Sequence, residues 1–206
     1  MTPNLSPLEL CHRQMAMERI GVNDAGLLYR LPGENPDEIG RVKASLLTTG
    51  EYVAYFRDDL PPNQLERLRS MTPRQVYEDE EAVLAILGVT EPGWRGRTSI
   101  FSSEFSTRDF ELVSVRDGRF IVQIGTVRAA EAWASRATDQ AAELAVETQP
   151  DFQRRGYGRQ VCAAWANHAL AAGRTAYYSH SVLNTASRAL ADNLGVQHFM
   201  DNVSYG

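Results

Sequence analysis

A chain of 206 residues, 43% hydrophobic, 23% charged and 9% aromatic, has the balance of an ordinary globular protein and excludes a disordered one. A compact fold of that size removes roughly 70% of the unfolded surface from water, so a core forms without disulfide or metal staples. Lys+Arg total 21 against 26 Asp+Glu, a formal net charge of -5, which is the wrong sign for a protein that lives on phosphate backbones, so nucleic acid is not an expected partner.

The first predicted element is a helix. Ser6-Pro7-Leu8-Glu9 is a capping box with proline at the first helical position, and Leu8, Cys11, Met15 and Ile20 fall near one face, so the helix should run to about Arg19 and stop at Gly21. Residues 27–31 form a short apolar run that ends at Pro32-Gly33. Residues 41–47 and 52–56 flank Thr48-Thr49-Gly50-Glu51 as the strands of a hairpin do, which predicts a small antiparallel sheet. After Pro61-Pro62 come a helix near residues 63–69 and a second one. The second opens on the capping box Thr72-Pro73-Arg74-Gln75 and closes at Gly88.

Strand patterns begin at Thr98. Residues 110–115 and 120–127 are joined by Asp117-Gly118, a strong hairpin signal, and residues 132–136 and 143–148 form another hairpin around Thr138-Asp139-Gln140. The last quarter reads as strand 143–148, a glycine-rich turn 153–158, helix 158–172, strand 175–179 and helix 184–194, the order of a parallel pair with a crossover helix. A further strand is expected near 196–199. The chain ends soon after it, which predicts a short or missing last strand and an exposed edge that invites a second copy, a possible homodimer.

Cys11 and Cys162 lie far apart with no C-x-x-C spacing, so free thiols are expected. His12, His168, His180 and His198 show no ligand spacing, and no metal is expected. Trp94, Trp133 and Trp165 suit a core or the walls of a groove. No window approaches the roughly 20 apolar residues of a membrane span, and no secretory leader is evident, so a cytoplasmic protein without a membrane partner is expected.

Chemistry concentrates at Gln153-Arg154-Arg155-Gly156-Tyr157-Gly158, after a strand and before an amphipathic helix. There backbone N–H groups converge where the helix dipole is positive, and Arg154, Arg155 and Arg159 supply charge, so the segment reads as an anion cradle suited to a diphosphate. A plain strand-to-helix turn with glycines for packing is the alternative. Residues 148–158 as a whole resemble the acyl-CoA-binding motif of the GNAT superfamily of N-acetyltransferases, written Q/R-x-x-G-x-G/A. Downstream, Asn184-Thr185-Ala186-Ser187, Leu190 and Leu194-Gly195-Val196 resemble that family's Asn-x-x-Ala/Ser helix with its terminal Leu-Gly-Phe. More narrowly, residues 143–148, Tyr178-Ser179, Asn184 and Ser187 resemble a little-characterised bacterial GNAT subgroup.

The resemblance is strongest over residues 130–196, and weaker through Arg57-Asp58-Asp59-Leu60-Pro61. It implies an α+β fold, a mixed, splayed sheet flanked by helices. Residues 51–206 would form the acyltransferase domain, and residues 1–50 an N-terminal extension, a helix and small antiparallel strands packed on it. It implies acetyl-CoA as acyl-donor co-substrate, with the backbone of Val146 and Thr148 meeting the thioester and pantetheine. Gln153, Arg154, Arg155, Gly156, Tyr157, Gly158 and Arg159 would hold the diphosphate, and Asn184 and Ser187 would line the other side. The implied function is transfer of an acetyl or other acyl group to the amine of a small, cationic acceptor; the alternative is an inactive acyl-CoA-binding regulatory module.

An amine of pKa about 10.4 is protonated at neutral pH and must lose a proton before it attacks. Glu143 and Glu147, four apart on one strand, share a face and are the candidate bases, with a solvated sheet edge as the bland reading. The tyrosine that the family often carries seven residues after the motif asparagine is Ala191 here, so Tyr178, Ser179 or His180 is left to act as acid, unless the thiolate leaves unaided. The acidic run Glu78-Asp79-Glu80-Glu81 would attract a cation, or else serve a helix dipole.

Overall fold

The computed structural model describes residues 5–18, 20–30 and 40–206. It divides into two compact units: Leu5–Thr98 with Ser181–Leu183 and His198–Gly206, and Ser99–His180 with Asn184–Gln197. The expected boundary at residue 50 falls inside the first of these.

That N-terminal unit begins with α1 (Pro7–Met17), where the Ser6–Glu9 capping box is formed in both directions and Glu18 is the C-cap. Arg19 and residues 31–39, which include the Pro32-Gly33-Glu34-Asn35-Pro36 loop, lie outside the described residues. Gly21 does not simply stop the helix: it sits in β1 (Ile20–Val22), opposite Tyr29 of β2 (Leu27–Arg30). A Cβ on Gly21 would run into the outer atoms of the Tyr29 ring, so the cross-strand ring lies over the space a side chain at 21 would take. The predicted hairpin is present as β3 (Val42–Leu47) and β4 (Tyr52–Arg57), paired antiparallel. The small sheet is nevertheless mixed, because β2 pairs parallel with β4.

After α2 (Pro62–Arg69), the single helix expected over 73–87 is two, α3 (Pro73–Glu78) and α4 (Glu80–Leu87). Asp79 breaks it, leaving helical angles and accepting the Ala82 N–H at 3.1 Å, the competition with the helix backbone that makes aspartate a capping residue. The acidic run is thus a helix junction: Glu78 pairs with Arg74 and accepts from Tyr52, and Glu80 pairs with Arg95. Next comes β5 (Pro92–Ile100), which starts ahead of the strand pattern expected from Thr98 even though its first half holds Pro92, Gly93 and Gly96, residue types that strands disfavour.

In the other unit, a 3₁₀ turn over Thr107–Phe110 precedes β6 (Val113–Arg116), β7 (Arg119–Ile124), β8 (Val127–Ala137) and β9 (Ala141–Thr148), an antiparallel meander. Phe110 therefore belongs to the turn and not to the strand expected over 110–115. α5 (Tyr157–Ala171) crosses over to β10 (Thr175–Ser181), parallel to β9, and α6 (Thr185–Leu194) follows. Phe120, Val122, Ala132, Leu144, Ala176 and Tyr178 on the sheet meet Val161, Cys162 and Trp165 of α5 in one buried cluster.

β9 and β10 pair only at Ala141, Ala142 and Glu143 against Thr175, Ala176 and Tyr177; beyond that register they part, which is the splay of a mixed sheet flanked by helices. The last strand, β11 (Gln197–Tyr205), corrects the expectation of a short or missing one. It pairs with β3 over Met200–Tyr205 in the N-terminal unit, where the strand order is β1-β2-β4-β3-β11-β5, so β11 is interior. Pairing with residues more than 150 positions away, not the local pattern, sets its length.

Candidate functional site

The turn between β9 and α5 is built by three local devices. Pro150 opens a 3₁₀ turn over Pro150–Phe152, and Gln153 Nε2 reaches back to the Thr148 carbonyl at 3.4 Å. Arg154 (φ 58°) and Gly156 (φ 81°) then take left-handed angles, sterically cheap only for glycine. The chain enters α5 at once. Gly158 is required for a different reason: a Cβ there would stand 2.9 Å from Thr148 Oγ1, so its absence lets α5 approach the end of β9.

The N-cap of α5 is Gly156, which has no side chain to cap with, and the first turn has no acidic residue. Gln160 N–H is the first to find a helical partner, the Gly156 carbonyl at 3.1 Å. The N–H groups of Tyr157, Gly158 and Arg159 are the ones a helix start leaves unpaired, at its positive end. That is the donor set an anion needs.

The three arginines do not act alike. Arg154 and Arg155 are exposed, with the Arg155 guanidinium 5.4 Å from the centroid of the Phe152 ring. Arg159 is ion-paired with Asp109 at 2.8 Å. Tyr157 packs its ring against Phe152, 6.3 Å between centroids.

On β9, Leu144, Val146 and Thr148 share the α5 side, with Leu144 in its core and Val146 packed on it; Glu143, Ala145 and Glu147 point the other way. The two glutamates differ in surroundings. Glu147 is exposed, stands opposite Glu131 of β8, and has no ion pair among the described residues. Glu131 is held by Arg119 at 3.0 Å and Arg128 at 2.7 Å, and Arg119 also lies over the half-buried Trp133 ring at 4.5 Å. Glu143 is only 6% exposed, stands opposite Arg136 and pairs with it at 3.5 Å, so it is not a solvated edge carboxylate.

Tyr178 lies on the α5 side, opposite to the two glutamates. It is buried, its hydroxyl donates to the Ser187 carbonyl at 3.4 Å, and burial pushes its pKa up to about 12. Asn184 caps α6, accepting Ser187 N–H on Oδ1 at 2.9 Å. The structure therefore brings Thr148, Gln153, Gly156 and Gly158 together, and separately Asn184, Ser187 and Tyr178. It does not bring Tyr178 to the face of Glu143 and Glu147. Sequence reasoning missed Asp109 and Arg136; the β8–β9 register made Arg136 findable, whereas nothing local announces a partner fifty residues from Arg159. Among the described residues no group of three or more His, Cys, Asp or Glu is arranged to hold a metal ion, and no helix is long and apolar enough to cross a membrane.

Residues 121–204 match the family described as FR47-like protein. No curated protein matches the chain. Among solved structures, the chain is similar to an acetyltransferase from the GNAT family of Colwellia psychrerythraea, at 14% identity and a TM-score of 0.45, over 91% of this chain and 80% of that one. It is also similar to a GCN5-related N-acetyltransferase from Kribbella flavida, at 12% identity and a TM-score of 0.42, over 99% and 96% of the two chains.

Proposed function

We propose, from the match of residues 121–204 to the FR47-like family and the GNAT-like motifs at residues 148–158 and 184–196, that the protein moves an acyl group, acetyl in the simplest case, from acyl-CoA to the amine of a small, cationic acceptor. One observation carries the reading: β9 and β10 part just beyond Glu143 and Tyr177, and the same strand β9 ends against an uncapped helix N-terminus. A splayed pair leaves strand edge open to an extended ligand, and the helix start offers N–H donors to its diphosphate.

The residues present fit such a ligand. Tyr157, Gly158 and Arg159 would hold the diphosphate through their N–H groups, with Arg154 and Arg155 adding charge that is exposed and near at hand. Val146 and Thr148 would offer backbone to the pantetheine arm, and Asn184 and Ser187 would line the gap from the side of α6. Bound acyl-CoA supplies an activated acyl carbon as a thioester. The chain's own task is to deliver a neutral amine to it.

Glu147 is the better base, because it has no ion-pair partner among the described residues, whereas Glu143 is committed to Arg136. A positioned base contributes typically 10²–10⁴-fold. Tyr178 is a candidate acid, but its hydroxyl already serves the Ser187 carbonyl. With Ala191 buried where the family often has tyrosine, this favours either departure of the thiolate without an acid or the second reading, a module that binds acyl-CoA without turnover.

The test combines calorimetry of CoA binding with thiol release from acetyl-CoA against a panel of amines. Binding should be lost in Gly156→Val, and release should fall by at least tenfold in Glu147→Gln. Binding without release for any amine would select the module; absence of binding would remove both readings.

A further inference from the structure

This inference rests on the reading of the α5 start as an anion cradle. Arg159 is the third residue of α5, and side chains on a helix lean toward its N-terminus, so the guanidinium is within reach of whatever anion sits there. It is already engaged: Nη1 donates to Asp109 Oδ1 at 2.8 Å, and the group lies 5.7 Å from the centroid of the Phe105 ring. Both side chains are about one-third exposed, at 32% and 29%.

The segment carrying Asp109 has its own fastening to α5. Asn167, eight residues along the helix from Arg159, accepts Phe105 N–H at 2.8 Å and donates to the Phe105 carbonyl at 2.9 Å. Phe105 meets Phe101, which meets Trp165, ring to ring at 6.0 and 6.1 Å. Ser106 caps the 3₁₀ turn. The segment therefore stays in place without the ion pair, and the Asp109 carboxylate is left with one identifiable effect, which is on Arg159. A carboxylate one side chain away from an anion site repels the anion and occupies the arginine that would otherwise meet it.

We propose that Asp109 is a positioning residue that competes with the ligand's phosphates for Arg159: the guanidinium exchanges the Asp109 carboxylate for a phosphate oxygen on binding, and affinity for CoA is held below what the cradle alone would give. The exchange keeps Arg159 paired in both states, and its cost is the Asp109 carboxylate, left without the guanidinium that holds it.

Calorimetry with CoA, and separately with inorganic pyrophosphate, tests this on the full chain. Asp109→Asn should tighten both ligands roughly two- to fivefold, the range of a partly exposed ion pair. Asp109→Glu, which keeps the charge, should stay near wild type. In an Arg159→Gln background the gain from Asp109→Asn should fall below half, because there is no guanidinium to release. Should Asp109→Asn not fold, as judged by its melting curve, Asp109→Ser replaces it. A wild type that binds CoA with Asp109→Asn no tighter, or with an equal gain in both backgrounds, overturns the exchange and leaves the cradle standing. A wild type that binds neither CoA nor pyrophosphate overturns the cradle and the exchange together.

Discussion

Gly156 and Gly158 stand two apart in one motif and are required by different physics. Gly156 needs its left-handed φ of 81° and has open space around it; Gly158 has ordinary angles but no room beside Thr148 Oγ1. Alanine at 156 should therefore cost about 1–2 kcal/mol whatever else is changed. Alanine at 158 should cost about 1–3 kcal/mol and recover most of it when Thr148→Ala removes the oxygen it meets, a coupling that a denaturation double-mutant cycle reads directly. At the same scale, burial pushes the Cys11 thiol up to about 11, that of Cys162 up as well, and Tyr178 up to about 12. All three are held neutral in the fold, so their contribution is whole below their unfolded pKa values, near 9 for the thiols and 10 for the phenol, and is lost as pH rises through the raised ones. Stability should accordingly decline between about pH 9 and pH 12, seen as a falling denaturation midpoint, and both cysteines should resist alkylation at about pH 8 until the chain is unfolded.

Among the elements, the stretch 73–87 shows how a single side chain divides a helix. Its apolar positions Val76, Val83, Ile86 and Leu87 are all buried, as a helical pattern requires, yet Asp79 is the C-cap of α3 and the N-cap of α4 at once. Replacing it with alanine removes the acceptor for Ala82 N–H, and should cost about 1 kcal/mol in urea denaturation. A smaller loss would mean that 73–87 closes into one continuous helix in the variant. β9 makes the complementary point. Its alternation placed Glu143 and Glu147 on one face correctly, but neighbours from β8, arginine against one and glutamate against the other, gave them different environments. Periodicity determines a face; register determines what stands opposite.

At the scale of the molecule, the N-terminal unit takes its strands from both ends of the chain. β3 lies between β4 and β11, pairing with each over five or six residues, and the Tyr205 hydroxyl donates to the Val76 carbonyl at 3.2 Å from inside a core that also holds Val42, Leu68 and Val83. A chain beginning near Glu51 would lose α1, β1, β2 and β3, leaving one edge of β11 and both edges of β4 unpaired and their apolar residues bare. Such a chain should be insoluble or melt without cooperativity. Recovery of a cooperatively melting, CoA-binding fragment would instead make the first 50 residues an independent module.

Much of this was legible locally. Capping boxes at Ser6 and Thr72, the Asp117-Gly118 hairpin, the strand–turn–helix order around Gly156 and the facing of Glu143 and Glu147 all follow from dihedral preference, short-range hydrogen bonding and periodicity, which act within a few residues and so are written in the order of the chain. The tertiary structure decided the rest. It decided that β11 is interior, that Gly21 accommodates a ring, that β2 runs parallel to β4, that Glu143 is paired by Arg136, and that Arg159 is held by Asp109. Each of these depends on which distant segment arrives alongside, and the free energy of such pairings belongs to both partners, so no window of sequence around one of them contains it.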